Sequence, residues 1–351
     1  MTPPFVSVSP AAATLDALIE RGCGTRYSAA VLRIERGGRV VYEYAAGTVR
    51  DDGGAAIYGD TRFDLASITK VFVATVALAF VARGLLALDE PLTGLIPEWA
   101  ATPHAPITLR MLLAHTAGVR SGADYRTLFG ERIEDFALQA ALVAPPGERV
   151  VYSDIGFLAL GVVLARRAGV ALEPLIEGEL RALGRANVTF ARHVDPAGTP
   201  ATERDAWRGL EQGTVHDEKA ALAGGVAGHA GLFGSARDVA QLAEWYLGPL
   251  HGRFSPLPAE LTAQAIAEQA PDPVLRRGLG WALKTSDDNS CGARMSPQTF
   301  GHTGFTGTCV WADAQRDLSV VLLTNAVHYG RHDLRDVRAA VCDAAVAVYG
   351  A

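Results

Sequence analysis

Strand-forming runs lie near both ends of this 351-residue chain, and a long helix-rich stretch separates them. The segment YSAAVLRIERGGRVVYEYAAG (27–47) predicts a β-hairpin, because two β-rich runs flank Gly37-Gly38, a pair suited to a two-residue turn. Strands return in GLGWALKT (278–285) and in GHTGFTGTCVWADAQRDLSVVLLTN (301–325). Two antiparallel sheet pieces so far apart in sequence indicate one α/β domain assembled from both chain ends.

Between these strands the sequence predicts mainly helices, in TLRMLLAHTAG, IEDFALQAALV, DIGFLALGVVLARRAG and SARDVAQLAEWYL, the last opening with a capping box. We therefore expect an α+β fold of the sandwich type, in which an antiparallel sheet flanked by helices packs against a mostly helical domain. The predicted sheet domain comprises residues 1–70 and 271–351, and the predicted helical domain comprises residues 71–270. An active site is expected in the cleft between them.

The stretch FDLASITKVFVATVALAFVARG (63–84) predicts a buried helix whose first turn carries Ser67 and Lys70. One interpretation is structural, with Ser67 as the N-cap and Lys70 pointing to water. The other is nucleophilic catalysis, because residues three apart share a helix face and an amine there reaches the hydroxyl. Burial on an apolar helix and the helix N-terminus both favour the neutral amine that a base requires. The motif alone fits both interpretations.

Composition excludes several classes of protein. Hydrophobic residues at 49% and charged residues at 20% are typical of a soluble globular protein, and the net charge of −6 without a basic cluster argues against a nucleic-acid partner. The four cysteines follow no metal-binding or disulfide spacing, so we expect free thiols. No apolar run predicts an integral membrane segment, and the N-terminus lacks a signal-peptide pattern. We expect a cytoplasmic protein, or a periplasmic or secreted one if a signal peptide has been removed.

Two further motifs accompany Ser67 and Lys70. VVYSDIG places Tyr152 just before a predicted helix, and FGHTGFTG places His302-Thr303-Gly304 at the start of a late strand. Each has a structural interpretation: Tyr152 as a half-buried aromatic beside a helix cap, and the glycines as marks of an edge strand or bulge. Their joint occurrence in this order favours a catalytic set.

With these motifs the chain resembles the serine β-lactamase and penicillin-binding-protein superfamily, in particular its class C-like branch with D-alanyl-D-alanine carboxypeptidases and carboxylesterases. The resemblance extends over nearly the whole chain and includes ITLRMLLAHTAGV, PPGERVVYSDIGFLALG and GTVHDEKAALAGGVAGHAGLF. The class A branch fits less well, because it has Ser-Asp-Asn where this chain has Tyr152-Ser153-Asp154, and it uses a separate glutamate.

By that resemblance, Ser67 attacks a carbonyl and forms an acyl-enzyme, with either Lys70 or Tyr152 as the base. The backbone N–H groups of Ser67 and Phe305 would form the oxyanion hole. His302, Thr303, Gly304 and Asp154 would contact the substrate, a small-molecule ester, peptide or β-lactam. The resemblance implies no cofactor and no metal.

Two positions differ from the penicillin-recognising form of this family. The third motif usually begins with lysine, which holds a substrate carboxylate, whereas His302 is mostly neutral above pH 7. Asp154 stands where the family tends to carry an asparagine that grips a substrate amide, and a carboxylate offers acceptors alone. Both differences predict weak β-lactamase activity, and both are compatible with an esterase or with a peptidase that holds its substrate differently.

Another group of polar residues lies at His216-Asp217-Glu218 and His229. Their spacing matches no metal-ligand motif, so we expect a loop at the cleft rim in which His229 supports the catalytic groups indirectly. His115 is interpreted as structural.

The leading hypothesis is a serine hydrolase acting on carboxylic esters or on D-Ala-terminated peptides. The alternative is a penicillin-binding sensor or scaffold that does not turn over, which the joint presence of Ser67, Lys70 and Tyr152 disfavours.

Overall fold

A computed structural model describes residues 10–184, 187–274 and 276–351. The first nine residues of the predicted sheet domain therefore lie outside the described part. The helices are α1 Pro10–Gly22, α2 Thr69–Ala82, α3 Leu109–Leu113, α4 Ile133–Gln139, α5 Asp154–Ala168, α6 Leu172–Gly184, α7 Glu218–Leu222, α8 Ala236–Leu247, α9 Ala259–Ile266 and α10 Arg335–Tyr349. The strands are β1 Ala29–Arg36, β2 Arg39–Arg50, β3 Gly53–Ala56, β4 Phe63–Asp64, β5 Thr189–Phe190, β6 Arg204–Asp205, β7 Gly209–Leu210, β8 Leu232–Gly234, β9 Ala282–Leu283, β10 Thr299–Thr303, β11 Cys309–Asp313 and β12 Leu318–Thr324.

In the described part of the chain, the main sheet has seven strands in the order β3-β2-β1-β12-β11-β10-β9, and neighbouring strands run antiparallel. Strands from the two chain ends meet where β1 pairs with β12, from Ala30 opposite Thr324 to Arg36 opposite Leu318. The predicted α+β fold, an antiparallel sheet flanked by helices, is thus confirmed. The division of the chain at residues 70 and 270 stays a prediction.

Both faces of the sheet are buried. In β12, Val321 and Leu323 face the core shared with α2, whereas Val320 and Leu322 belong to a second core that also holds residues of α1 and α10. This alternation follows from the period of two in a strand, and it explains why β12 is apolar on both sides. The sheet is consequently a rigid support for whatever its strand ends carry.

Helix α2 is buried around its whole circumference from Thr69 to Phe80, as its almost uninterrupted apolar sequence predicts. It begins two residues later than Ser67, which lies in a preceding 3₁₀ turn, Ala66–Ile68. Ser67 therefore caps no helix; the N-cap position of α2 is Ile68. The structural interpretation of Ser67 as an N-cap is wrong for this reason.

Two other boundaries differ from expectation. Of the predicted strand GLGWALKT, Ala282 and Leu283 alone form a strand. The preceding Gly280 has φ of +82° and its N–H donates to the Leu113 carbonyl, which takes the chain out of the sheet. No single helix in the described ranges is long and apolar enough to cross a membrane. Together, α5 and α6 reach that length and composition, but an 80° bend separates them.

Candidate active site

Ser67 sits on a strained turn at the edge of the main cleft. The residue before it, Ala66, has φ of +45°, a left-handed conformation that costs a residue with a Cβ about 1–3 kcal/mol. The buried Asp64 carboxylate accepts from the Ala66 N–H at 2.8 Å and compensates this strain. The Asp64 and Leu65 carbonyls accept from the hydroxyls of Thr306 and Thr308. The Ser67 turn is thereby fastened to the loop that follows β10.

Lys70 is completely buried, and its Nζ lies 2.7 Å from Ser67 Oγ and 2.9 Å from Asp154 Oδ1. It also donates to the His229 carbonyl at 3.3 Å. Burial by itself would lower the pKa of Lys70, but the Asp154 carboxylate and the Tyr152 hydroxyl outweigh it, so this pKa is raised above its ordinary value. The expectation that apolar burial would leave a neutral amine is therefore wrong, because it could not include Asp154.

Tyr152 lies close to two cations. The Lys70 Nζ and the Arg277 guanidinium are each 5.0 Å from the centre of its ring. The His115 ring packs against it at 4.5 Å, and His115 Nδ1 accepts from the Ser153 N–H at 3.0 Å. This contact fixes the backbone directly after Tyr152 at the start of α5. His115 thus has the structural function expected from the sequence, and it directly supports a candidate catalytic residue.

His302 is neutral in this site. Burial, together with the charges of Arg277 and Lys70, lowers the pKa of His302 to about 3. Its Nδ1 donates to the Thr303 carbonyl at 2.8 Å, which leaves Nε2 as a free base. Nε2 is buried and has no hydrogen-bond partner among the described residues. His302 therefore offers a substrate an uncharged acceptor, and it supplies no charge to a carboxylate.

Arg277 is a site residue that the sequence did not indicate. It lies in the loop between α9 and β9, is buried, and forms no ion pair with any residue that the structure describes. Its Nε has no hydrogen-bond partner within the same ranges. Burial lowers the pKa of Arg277, but an arginine remains charged at any ordinary pH. The charge of Asp272 acts on Arg277, but no carboxylate of the described residues forms an ion pair with it, so the guanidinium is suited to binding an anion.

Asp154 belongs to a network of buried charges. Lys219, a second residue missed from the sequence, lies 3.4 Å from Asp154 Oδ2 and 3.0 Å from Asp217 Oδ2. Asp217 Oδ1 accepts from His229 Nε2 at 2.8 Å. Burial would raise the pKa of Asp217, but His229 and Lys219 hold it well below its ordinary value. His229 is thus connected to Ser67 in two ways: its carbonyl accepts from Lys70, and its ring donates to Asp217.

Asp154, Asp217 and His229 are close enough together to hold a metal ion by geometry alone. The Nζ atoms of Lys70 and Lys219 contact the same carboxylates, however, and two ammonium groups already supply the positive charge. A cation bound there would have to displace both lysines, so this donor set does not fit a metal.

The Gly304–Phe305 peptide is held in place by a hydrogen bond to its carbonyl oxygen. The Gly304 carbonyl accepts from Arg338 Nη2 of α10 at 2.9 Å, and a trans peptide directs the following N–H the opposite way. A Cβ on Gly304 would lie 2.1 Å from Thr308 Oγ1 and 2.6 Å from the Leu65 carbonyl, so glycine is required. In the described part of the chain, the N–H groups of Ser67 and Phe305 donate no hydrogen bond. Both are free to bind an oxyanion.

Most of these groups line one cavity of about 1040 Å³, and the buried Lys70 reaches it through its contact with Ser67. Its lining brings together the sequence-predicted residues Ser67, Tyr152, Asp154, His302, Thr303, Gly304 and Phe305, together with Arg277 and Lys219. His229 is buried behind this lining, and the Phe305 side chain is 57% exposed at the mouth, where it stacks on His216. His216, Asp217 and Glu218, which were expected in a loop at the cleft rim, all line the cavity.

A family model described as Beta-lactamase matches residues 15–344. A protein of Escherichia coli (strain K12) named "Putative D-alanyl-D-alanine carboxypeptidase" is 30% identical over 358 residues, spanning 90% of this chain and 82% of that protein. An "N-acetylmuramyl-L-alanine amidase" of Bacillus subtilis (strain 168) is 30% identical over 357 residues, spanning 90% of this chain and 80% of that one.

Among solved structures, "EstCE1, a hydrolase with promiscuous acyltransferase activity" superposes with a TM-score of 0.75 at 24% identity. The superposition covers 95% of this chain and 98% of that one. At this identity the likeness shows a shared fold.

Proposed function

The chain belongs to the Beta-lactamase family and is a serine hydrolase of that family, and from this premise we propose that Ser67 forms an acyl-enzyme with D-Ala-terminated peptides or with carboxylic esters. The observation that carries the proposal is the contact of Lys70 Nζ with both Ser67 Oγ and Asp154. The buried Lys70 holds the Ser67 hydroxyl at the cavity wall, where a neighbouring base can take its proton and make it a nucleophile.

In the proposed reaction, Ser67 Oγ attacks the substrate carbonyl and its proton passes to the base. The raised pKa of Lys70 supports Tyr152 as the acceptor of this proton, with the Lys70 ammonium as the neighbouring charge. Lys70 and Arg277 flank the Tyr152 ring and compensate negative charge that develops on its oxygen. Tyr152 then returns the proton to the leaving group, and a water attacks the acyl-enzyme in the same way.

The N–H groups of Ser67 and Phe305 hold the carbonyl oxygen as it becomes an oxyanion. Removing one donor of this kind typically costs on the order of 3–4 kcal/mol of transition-state stabilisation. The free N–H groups and the fixed Gly304 carbonyl support this role.

Arg277 favours a substrate that carries a carboxylate, such as the C-terminus of a D-Ala-terminated peptide. Its guanidinium lies beside Tyr152 without an ion-pair partner in the described ranges, and it compensates for the neutral His302. The name of the Escherichia coli relative agrees with this substrate class.

Ester hydrolysis is the second candidate, and Asp154 favours it. Both carboxylate oxygens of Asp154 contact lysines, so this residue cannot also grip a substrate amide as an asparagine would. A substrate recognised without an acylamino group is compatible with this site.

The test compares N-acetylated L-Lys-D-Ala-D-Ala, the same peptide with a C-terminal amide, and p-nitrophenyl acetate. We expect wild type to release D-Ala from the free acid at least tenfold faster than it cleaves the amide, and Arg277→Met to remove this preference. Ser67→Ala must abolish every activity. Turnover of p-nitrophenyl acetate alone would indicate an esterase, and equal rates for wild type and Ser67→Ala would contradict the proposal.

Intact mass spectrometry after incubation with benzylpenicillin examines the non-hydrolytic alternative. A lasting adduct at Ser67 without release of D-Ala would indicate a penicillin-binding sensor. We expect at most slow hydrolysis of the drug, because Asp154 offers no hydrogen-bond donor to the acylamino carbonyl of a penicillin.

A further inference from the structure

Asp154 is shared between two lysines that belong to different helices. Oδ1 lies 2.9 Å from Lys70 Nζ of α2, and Oδ2 lies 3.4 Å from Lys219 Nζ of α7. Lys219 is itself 8% exposed and is held by Asp217 at 3.0 Å. The contacts form a closed ring, because Asp217 binds His229 and the His229 carbonyl accepts from Lys70.

We propose that Lys219 is a positioning residue for the reaction at Ser67, which by sharing Asp154 limits how strongly this carboxylate retains the proton on Lys70. The inference rests on the proposed function and extends it to a residue that does not touch the reacting atoms.

The charge balance of the ring gives the reason. Two ammonium groups, on Lys70 and Lys219, face two carboxylates, on Asp154 and Asp217. A carboxylate paired with Lys70 alone would hold its ammonium tightly, since ion pairs strengthen away from water. Lys219 also pairs with Asp154, which weakens the hold of this carboxylate on the Lys70 ammonium and keeps the Asp154 side chain turned toward α7. The charges of the two lysines and the two aspartates around Ser67 then offset one another while the serine proton moves.

Other charged or titratable groups face the same centre from every packed element. They are Tyr152 and His115 beside α5, His302 of β10, Arg277 of the loop before β9, Glu218 of α7, and Asp217 and His229 beside α7. None of these residues is replaced in a Lys219 variant, and those that respond to the loss of the Lys219 charge through direct contact belong to the ring.

A purely structural function of Lys219 would be to join α7 to α5. Such a function predicts loss of stability and a uniform loss of rate at every pH. The proposal instead predicts a displaced pH profile, and two ring variants that displace it in opposite directions.

The readout is the rate at which a fluorophosphonate probe labels Ser67, followed by intact mass from pH 5 to pH 10. Ser67 Oγ displaces fluoride at phosphorus, so the rate reports nucleophile activation without any assumption about the natural substrate. Lys219→Met removes a cation, which stabilises the protonated form of whichever group accepts the serine proton. We expect the acid limb of the profile to move up by about one pH unit, a roughly tenfold slower labelling below the limb.

Asp217→Asn is the variant of opposite sign. Asparagine is a good N-cap and keeps the cap of α7, where the Ala220 N–H donates to Asp217, but it frees Lys219 to bind Asp154 alone. The acid limb should then move to lower pH. Lys219→Arg, which keeps the charge, should restore the wild-type profile, and Lys284→Met, which removes another buried lysine paired with an aspartate, should leave it unchanged.

The double variant Asp154→Asn/Lys219→Met shows whether the effect passes through Asp154. In the Asp154→Asn background, loss of Lys219 should shift the limb no further. An equal shift in both backgrounds, or two ring variants moving the limb in the same direction, would overturn the inference while leaving a labelled Ser67 and the proposed function intact. Failure of wild type to label at all would contradict both.

Discussion

At the scale of single residues, the contact between Ser67 and Lys70 can be predicted from the sequence, because it depends on local helix geometry. Three residues along one turn bring a hydroxyl and an amine within reach, and the 2.7 Å contact agrees with this. Tyr152 and His302 required the resemblance to a family, since they are remote in sequence. Arg277 and Lys219 had no signal of either kind. Their importance arises from what they face, which is set by tertiary packing.

Because His302 is neutral in the folded protein, we expect it to make the free energy of unfolding depend on pH. The pKa of His302 is about 3 in the folded protein, against about 6.5 for an unfolded histidine. Between these two pH values the unfolded state binds a proton at residue 302 and the folded state does not. The contribution of His302 to the free energy of unfolding is therefore complete above pH 6.5 and is lost as the pH falls toward 3.

Between pH 7.5 and pH 5.5, wild type should lose about 1.4 kcal/mol more unfolding free energy than His302→Asn, as measured by urea denaturation. His251→Asn, which alters an exposed histidine, is the control and should follow wild type. Parallel losses in wild type and His302→Asn would show that His302 takes up its proton in the fold.

At the scale of elements, the boundaries of α2 and the β9 region show what sequence patterns leave out. The apolar run from Val71 predicts the body of α2 correctly, yet its first turn departs from the α-helix because Ala66 adopts a left-handed conformation. That conformation depends on the carboxylate of Asp64 and on two threonines near residue 307, contacts that no local window contains.

The loop after β10 yields a prediction for Gly304→Ala. The added Cβ would collide with Thr308 Oγ1 and with the Leu65 carbonyl, which is backbone next to the Ser67 turn and cannot move alone. We expect kcat for ester hydrolysis to fall at least tenfold, with a smaller change in KM, because the oxyanion donors are displaced. Gly178→Ala on α6 has open space around it and should keep full activity. Equal activity in both variants would contradict the proposed oxyanion hole.

At the scale of the whole molecule, the sheet unites the chain ends through β1 and β12, and α8 from the predicted helical region packs against β1, β11 and β12. The fold class was predictable from this order of elements. The exact limits of two domains were not, because residues from both predicted regions contribute to one core.

A shared core predicts a single cooperative unfolding transition. Trp281 and Trp245 lie in the core that contains α2, and Trp311 lies in the core that contains residues of α1 and α10. Thermal unfolding followed by tryptophan fluorescence and by far-ultraviolet circular dichroism should therefore give coincident midpoints. Separate midpoints would show that the predicted sheet and helical domains unfold independently.

The fastening of the Ser67 turn to Thr306 and Thr308 also has a consequence for biosynthesis. Ribosomes deliver the chain from its N-terminus, so the nucleophile emerges long before the two threonines that fix its turn and the strand that closes the sheet. We therefore expect a nascent chain to lack the proposed oxyanion hole until β10 to β12 have left the exit tunnel. The topology of the fold therefore predicts that incomplete translation products have no hydrolytic activity.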